Sequence, residues 1–399
     1  MQYAVKKSGS AVGYCALSIK CGTRDEQGFH SGIAHFTEHT IFKGTEKRSA
    51  AVINGYLDRL GGELNAFTTK EEIVFHATVL KEDLPKASSL LLELVTCPTF
   101  PDHEIATEKS VVIDEIHSYK DTPAEDIYDK FEEMLFKGHP LSGPILGTKA
   151  SVKKISRNEL MNFIKEKFIP CKMALTIVAD IDEKKMERDL LKLIDKYFRQ
   201  QEQEPPCTVK QKPSAERFEK TINKRNHQAN CIIGGLAPSL YQEKERLATV
   251  LLCNILGGPA SNSILNNILR EKNGWVYGVE CAYTQYSDTG IAAISLGCDK
   301  QNIEKCLKAI EKEISKLQET PLTERKMRAA KKQLLGQLAI SSDNGEMQCL
   351  SMGKSLLAYG KITEGKDTKE LIEAISAEEV MNMARTIFDK ERLSILIYV

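Results

Sequence analysis

One stretch of this chain returns 220 positions later, which constrains the fold to two versions of a single unit. SRNELMNFIKEKFIPCKMALTIVAD begins at Ser156, and SAEEVMNMARTIFDKERLSILIYV begins at Ser376. The shift lays Ser156 on Ser376, Glu159 on Glu379, Met161-Asn162 on Met381-Asn382 and Phe168 on Phe388. Each copy reads as a Ser-capped helix with Glu three residues on, then a turn and an apolar strand. A repeat of this length predicts a duplicated domain, because solenoid units are far shorter.

The richest linker signal runs from Arg199 to Phe218; it is polar, holds Pro205, Pro206 and Pro213, and has no apolar periodicity. The expected division is a first domain over 1–200, a linker over 201–217 and a homologous second domain over 218–399. In the first half, YCALSIKCG and EEIVFHATVL alternate as half-buried strands do. IAHFTEHTIFKG, the segment Ala51–Leu60, Asp83–Val95 and Pro101–Tyr119 read as helices. Strands come in hairpin-like pieces and not in strict alternation with helices. The fold class is therefore α+β, two homologous domains that each pack a mostly antiparallel sheet with helices.

Composition removes several function classes. Lys+Arg and Asp+Glu both count 55, so the net charge is zero and no basic stripe is visible; nucleic acid is a poor partner. No stretch approaches the ~18–20 apolar residues that span a bilayer, so no membrane is expected. The N-terminus lacks the basic-then-apolar run of a secretory signal. Eleven cysteines without a C-x-x-C pair read as reduced thiols in a cytoplasmic protein, with Cys231, Cys253 and Cys298 as core filler.

Chemistry concentrates in His35-Phe36-Thr37-Glu38-His39. On a helix, positions i, i+3 and i+4 share one face, so both imidazoles can reach one ion while Glu38 points to nearly the same place. This is the common zinc-protease order reversed, with the same logic: two His ligands and a carboxylate base. The other histidines (His30, His76, His103, His117, His139 and His227) have no partner at ligand spacing. A catalytic zinc wants a third protein ligand. TEKSVVIDEIHSYKD offers Glu108 and Glu115, two helical turns apart. Two carboxylates aimed at one place raise each other's pKa unless a cation, or a histidine needing an acceptor, lies there. The residues alone leave open whether this pair serves the site or is solvated surface.

HFTEHTIFKGT, with Glu115 lying 76 residues beyond His39, resembles the inverted-motif zinc metallopeptidases of the pitrilysin, insulysin and mitochondrial processing peptidase family. The resemblance implies His35, His39 and Glu115 as ligands of one Zn²⁺ per chain, Glu38 as general base and Glu108 as a support behind the ligands. GGELNAFTTKEEIVFHATV resembles the family's edge-strand segment, which implies that Asn65, Ala66 and Phe67 pair with extended substrate. GHPLSGPILGT, from Gly138 to Thr148, matches a family loop. ILREKNGWVYGVECAYTQYSDTG resembles the segment whose Arg and Tyr bind substrate and stabilise the tetrahedral intermediate; here these are Arg270 and Tyr277. The implied activity is a zinc endopeptidase acting on peptides or unfolded segments in an enclosed chamber. Two domains make the chain similar to the family's half-size members, which implies a homodimer, or a heterodimer with a related chain. The alternative within the family is an inactive or partner-dependent structural or processing subunit.

Overall fold

Ser156 and Ser376 cap their helices as the repeat predicts: each hydroxyl accepts the backbone N–H of the Glu three residues on. At Ser376 the Glu379 carboxylate also returns to the Ser376 N–H at 2.6 Å, completing a capping box. The structure, a computed structural model, describes residues 1–198, 212–363 and 365–399. Residues 199–211 of the expected linker lie outside the described residues.

In the first half of the chain run strands β1 (Gln2–Lys7), β2 (Val12–Ile19), β3 (Glu63–Thr68), β4 (Ile73–Leu80) and β5 (Met173–Ala179). The helices there are α1 (Ile33–Ile41), α2 (Ala50–Asp58), α3 (Leu84–Thr96), α4 (Asp102–Lys120), α5 (Pro123–Leu135), α6 (Lys149–Lys154), α7 (Arg157–Lys167) and α8 (Glu183–Phe198). The second half holds β6 (Glu219–Ile222), β7 (Gln228–Ala237), β8 (Val276–Gln285), β9 (Gly290–Asp299) and β10 (Ser394–Tyr398). Its helices are α9 (Glu243–Gly257), a π-helical stretch Asn266–Lys272, α10 (Ile303–Glu319), α11 (Glu324–Asp343), α12 (Gly345–Tyr359), α13 (Gly365–Ala374) and α14 (Ala377–Ile387).

The two sheets have one topology. The first runs β1-β5-β2-β4-β3 and the second β6-β10-β7-β9-β8, which is first-fifth-second-fourth-third in both. In each, the first and fifth strands are parallel and the remaining pairs antiparallel. The α+β class and the mostly antiparallel sheets hold.

Two compact units contain these sheets, and neither is contiguous in sequence. The first takes Met1–His117, the described chain from Gly143 onward and Ile340–Thr363. The second takes Ser118–Ser142, the described chain from Lys212 to Ala339, and the C-terminal stretch from Gly365. Helix α5 therefore serves the second unit. Its Ile127, Phe131 and Leu135 pack with Ile232, Leu396 and Tyr398 of β7 and β10. Helix α12 serves the first unit, where Cys349 and Met352 pack with Ala16, Val74 and Val178. Each buries one face, and that face is covered by an apolar sheet face. The opposite face of the first sheet carries the main core, including Leu17, Phe75, Leu91 and Leu175.

Close approach of α12 to the first sheet requires glycine at 353. A Cβ there would lie 2.5 Å from Ser18 Oγ, and Ser18 is itself buried. Gly353→Val is expected to lower stability by about 1–3 kcal/mol, read by denaturant unfolding of the full chain. Gly336→Ala on α11, where a Cβ would meet nothing within 4 Å, is expected to raise it by roughly 0.5–1 kcal/mol.

Candidate metal centre

Helix α1 owes its orientation to what it buries. Ile33, Ala34, Phe36 and Ile41 are fully buried, as are Thr37 and Thr40. At helical spacing this forces residues 35, 38 and 39 onto the other face. Helix α4 does the same from its side. Ile105, Val112 and Ile116 anchor it in the core, and Glu108 lies on the same buried stripe.

The two faces meet. Oε2 of Glu115 lies 3.7 Å from His35 Nε2 and 3.4 Å from His39 Nε2. One ligand atom from each of the three residues falls within 4.8 Å of the others, the single such group among the described residues. His39 Nδ1 donates to Glu108 Oε2 at 3.1 Å, and Lys43 Nζ lies 2.7 Å from Glu108 Oε1. Glu108 is thus a buried acid with both oxygens partnered, one by a lysine and one by the imidazole it orients.

Electrostatics divide the two imidazoles. Burial, and His39 beside it, pull His35 down to about 4 against the pull of Glu115, so its ring is neutral. Burial also acts downward on His39, but the carboxylates of Glu115 and Glu108 overcome it and hold His39 above its ordinary value. The His39 imidazole in turn holds the Glu115 carboxyl below the usual range. Two atoms here are buried without a hydrogen-bond partner, Glu115 Oε2 and His35 Nδ1. A buried carboxylate oxygen with no donor, facing two ring nitrogens, is a costly arrangement that a cation relieves. Two imidazoles and one carboxylate are also a donor set that suits zinc. The residues fit the metal.

Glu38 stands beside this group. Burial pushes its carboxyl up, and the Thr68 hydroxyl, which donates to Glu38 Oε2 at 2.5 Å, acts the other way. Thr68 ends β3, the edge strand of the first sheet. Asn65, Ala66 and Phe67 pair on one side with His76, Phe75 and Val74 of β4; the outer edge of β3 pairs with no described strand. A cleft of about 440 Å³ is lined by Glu38, His39, Phe42, Asn65, Ala66 and Glu108. His39 of the candidate ligand group, the Glu38 carboxyl and the edge strand therefore line one cleft.

Residues 3–149 match the family model described as insulinase (peptidase family M16), and residues 154–334 match that of the peptidase M16 inactive domain. An uncharacterized zinc protease of Rickettsia felis is 31% identical over 382 residues, covering 96% of this chain and 91% of that one. The uncharacterized zinc protease YmxG of Bacillus subtilis is 28% identical over 374 residues, covering 94% and 90%. This chain belongs to the M16 (insulinase) family of peptidases. A solved protease from Helicobacter pylori shares the fold at a TM-score of 0.89, with 19% identity over 99% of this chain and 95% of its own.

The M16 motif residues fall in the first unit, and Arg270 and Tyr277 belong to the second. Arg270 lies exposed in the π-helical stretch. Tyr277 sits at a register shift between Val276 and Gly278, and a bulge of this kind re-aims a side chain. It is 58% exposed and donates to Asp299 at 2.8 Å, which holds its phenol above the usual range. Sequence reasoning missed Lys43 and Thr68. Lys43 stands four residues after His39, a helical spacing that was available as a signal; Thr68 directly follows Asn65-Ala66-Phe67 and carries no signal of its own. Other histidines keep to local roles: His30 pairs with Glu159 and His76 with Glu346.

Glu108→Ala is expected to weaken zinc binding roughly 10- to 100-fold by freeing His39 to turn, measured by competition with a chelator.

Proposed function

We propose that this chain is a zinc-dependent endopeptidase that hydrolyses peptides or unfolded polypeptide segments. The observation that carries the reading is the convergence of His35, His39 and Glu115 beside a half-buried Glu38 and a free strand edge. The zinc named in the relatives' descriptions supports the metal. Held by these three side chains, zinc supplies Lewis-acid polarisation at the scissile carbonyl.

The chain's own residues do the rest. An extended peptide adds to the outer edge of β3, its backbone pairing with groups that β3 leaves free. Water attacks the carbonyl carbon as Glu38 takes its proton; Glu38 then returns that proton to the amine nitrogen as the C–N bond breaks. Burial favours the first half of this shuttle, because a carboxylate whose pKa is raised is a stronger base toward the attacking water than it would be in solvent. Thr68 holds one carboxylate oxygen and leaves the other for the water. Arg270 and Tyr277 are exposed donors suited to a developing oxyanion.

A homodimer in a reducing cytoplasm is part of the proposal. Eight of the ten described cysteines are buried thiols, which suits such a compartment. No helix among the described residues is long and apolar enough to cross a membrane. Arg270 and Tyr277 of one chain would complete the zinc site of the other.

Glu38→Gln is expected to keep one zinc per chain and lose at least ~10³-fold in cleavage of a quenched fluorescent peptide library, as loss of a general base demands. Zinc bound with no cleavage by the wild type would reject the autonomous enzyme in favour of a partner-dependent subunit. Mixing Glu38→Gln with Arg270→Ala chains is expected to restore part of the activity in mixed dimers; no recovery would reject shared sites.

A further inference from the structure

Helix α1 begins without a cap of its own. Its N-cap is Gly32, which has no side chain to offer and sits at φ +88°, a conformation glycine adopts freely. A Cβ at this position would lie 2.8 Å from both Gly147 Cα and Leu146 O, so no capping side chain fits there. The buried amides of the first turn are met from six residues upstream. Glu26 Oε2 accepts the Gly32 N–H and Glu26 Oε1 the Ala34 N–H, both at 2.9 Å. Ala34 immediately precedes His35.

Glu26 is buried, and burial pushes its carboxyl up to about 8 while the two amides and the nearby Lys70 pull the other way. A carboxyl group is placed here at a desolvation cost, which a purely local cap on the surface would avoid.

The segment that carries Glu26 is fastened at its other end to the turn after β3. Thr23 N–H donates to Thr69 O at 3.2 Å, and Arg24 N–H donates to Lys70 O at 2.9 Å. The Arg24 guanidinium, itself buried, bonds Glu71 Oε1 at 2.6 Å. Residues 23 to 26 thus form a bracket. One end grips the turn that follows the edge strand, and the other grips the first turn of the helix bearing both histidines. Thr68 and Glu38 make a second tie between the same two elements.

We infer that Glu26 is a positioning residue that locks α1 to β3, so that the histidine ligands and the strand edge that receives substrate keep one fixed geometry. The inference rests on the zinc peptidase reading of the site. It explains why a buried carboxylate caps this helix and none caps α9, which lies between the second and third strands of the other unit and whose N-cap Gln242 accepts from the Ser239 N–H and makes no bond to the helix's own first-turn amides.

The test uses the full chain as wild type, Glu26→Gln and Arg24→Lys. Zinc affinity is measured by chelator competition, amide exchange of α1 in the metal-free chain, and kcat and KM on an extended peptide. Glu26→Gln keeps the shape but loses one acceptor. It is expected to raise the zinc Kd roughly tenfold, in the range of losses seen when a ligand's support is removed. Exchange at Gly32 and Ala34 is expected to speed up while the second unit's amides stay unchanged, and kcat to fall more than KM rises. Arg24→Lys loosens the far end of the bracket and is expected to act in the same direction, less strongly. Wild-type zinc Kd and kcat in Glu26→Gln, whatever its melting temperature, would overturn the inference and leave Glu26 a structural cap. Should Glu26→Gln fail to fold, unchanged values in Arg24→Lys would overturn it equally. A wild-type chain that binds no zinc would overturn the peptidase reading itself.

Discussion

The site depends on a nine-residue helix having one face that cannot move. Phe36, Ile33 and Ile41 of α1 are fully buried in the first unit's core, with Thr37 and Thr40 beside them. Rotating α1 by even a few tens of degrees would expose this face, and each large apolar side chain brought out of the core would cost about 1.5–3 kcal/mol. His35, Glu38 and His39 are aimed by that penalty. Their direction follows from the spacing of their apolar neighbours, and Glu26 and Thr68 then set the remaining freedom at either end.

Charge at the site is arranged as an alternating chain. Lys43 meets Glu108, Glu108 meets His39, and His39 meets Glu115, which also faces His35. A buried ion pair by itself contributes little to stability, because desolvation offsets attraction. What the alternation contributes is a fixed orientation for each ring and carboxylate. Glu108 shows this best: both of its oxygens are engaged, so it cannot rotate without breaking a contact. Glu115 Oε2, buried without a donor, faces both histidines.

Much of this was legible in the sequence. The 220-residue echo, the two Ser caps and the 35-38-39 spacing are local or periodic signals, and local signals survive without tertiary information. Glu115 is different. Periodicity placed Glu108 and Glu115 on α4, but only the family resemblance chose between them as ligand, since both meet His39 in the fold and differ in which nitrogen they face. Long-range features left no mark. That α12 would cover β2 and β5 instead of the sheet of its own half depends on two apolar faces that are interchangeable in composition. The bulge at Tyr277 depends on pairing with β9, and Thr68 on the approach of β3 to α1; neither is encoded in a spacing.

Duplication gave two copies of one topology, yet only one copy gathers metal donors among the described residues. The first helix between the second and third strands of the second unit is α9, and where α1 turns two histidines and a glutamate toward α4, α9 is buried along most of its length by Leu247, Leu251, Leu252 and Leu256. It offers Thr249, Cys253 and Asn254 but no imidazole. The scaffold therefore does not dictate the chemistry; it dictates where a side chain will point once chosen. A helix with a wide apolar stripe secures its unit, and a helix with a narrow one leaves room for ligands. The second copy has kept the edge strand and given it a bulge, so that β8 presents Tyr277 where β3 presents a regular ladder. One copy of the fold presents exposed donors while the other gathers the candidate ligands, and the same five-stranded plan supports both arrangements because each is decided by a few positions on two elements.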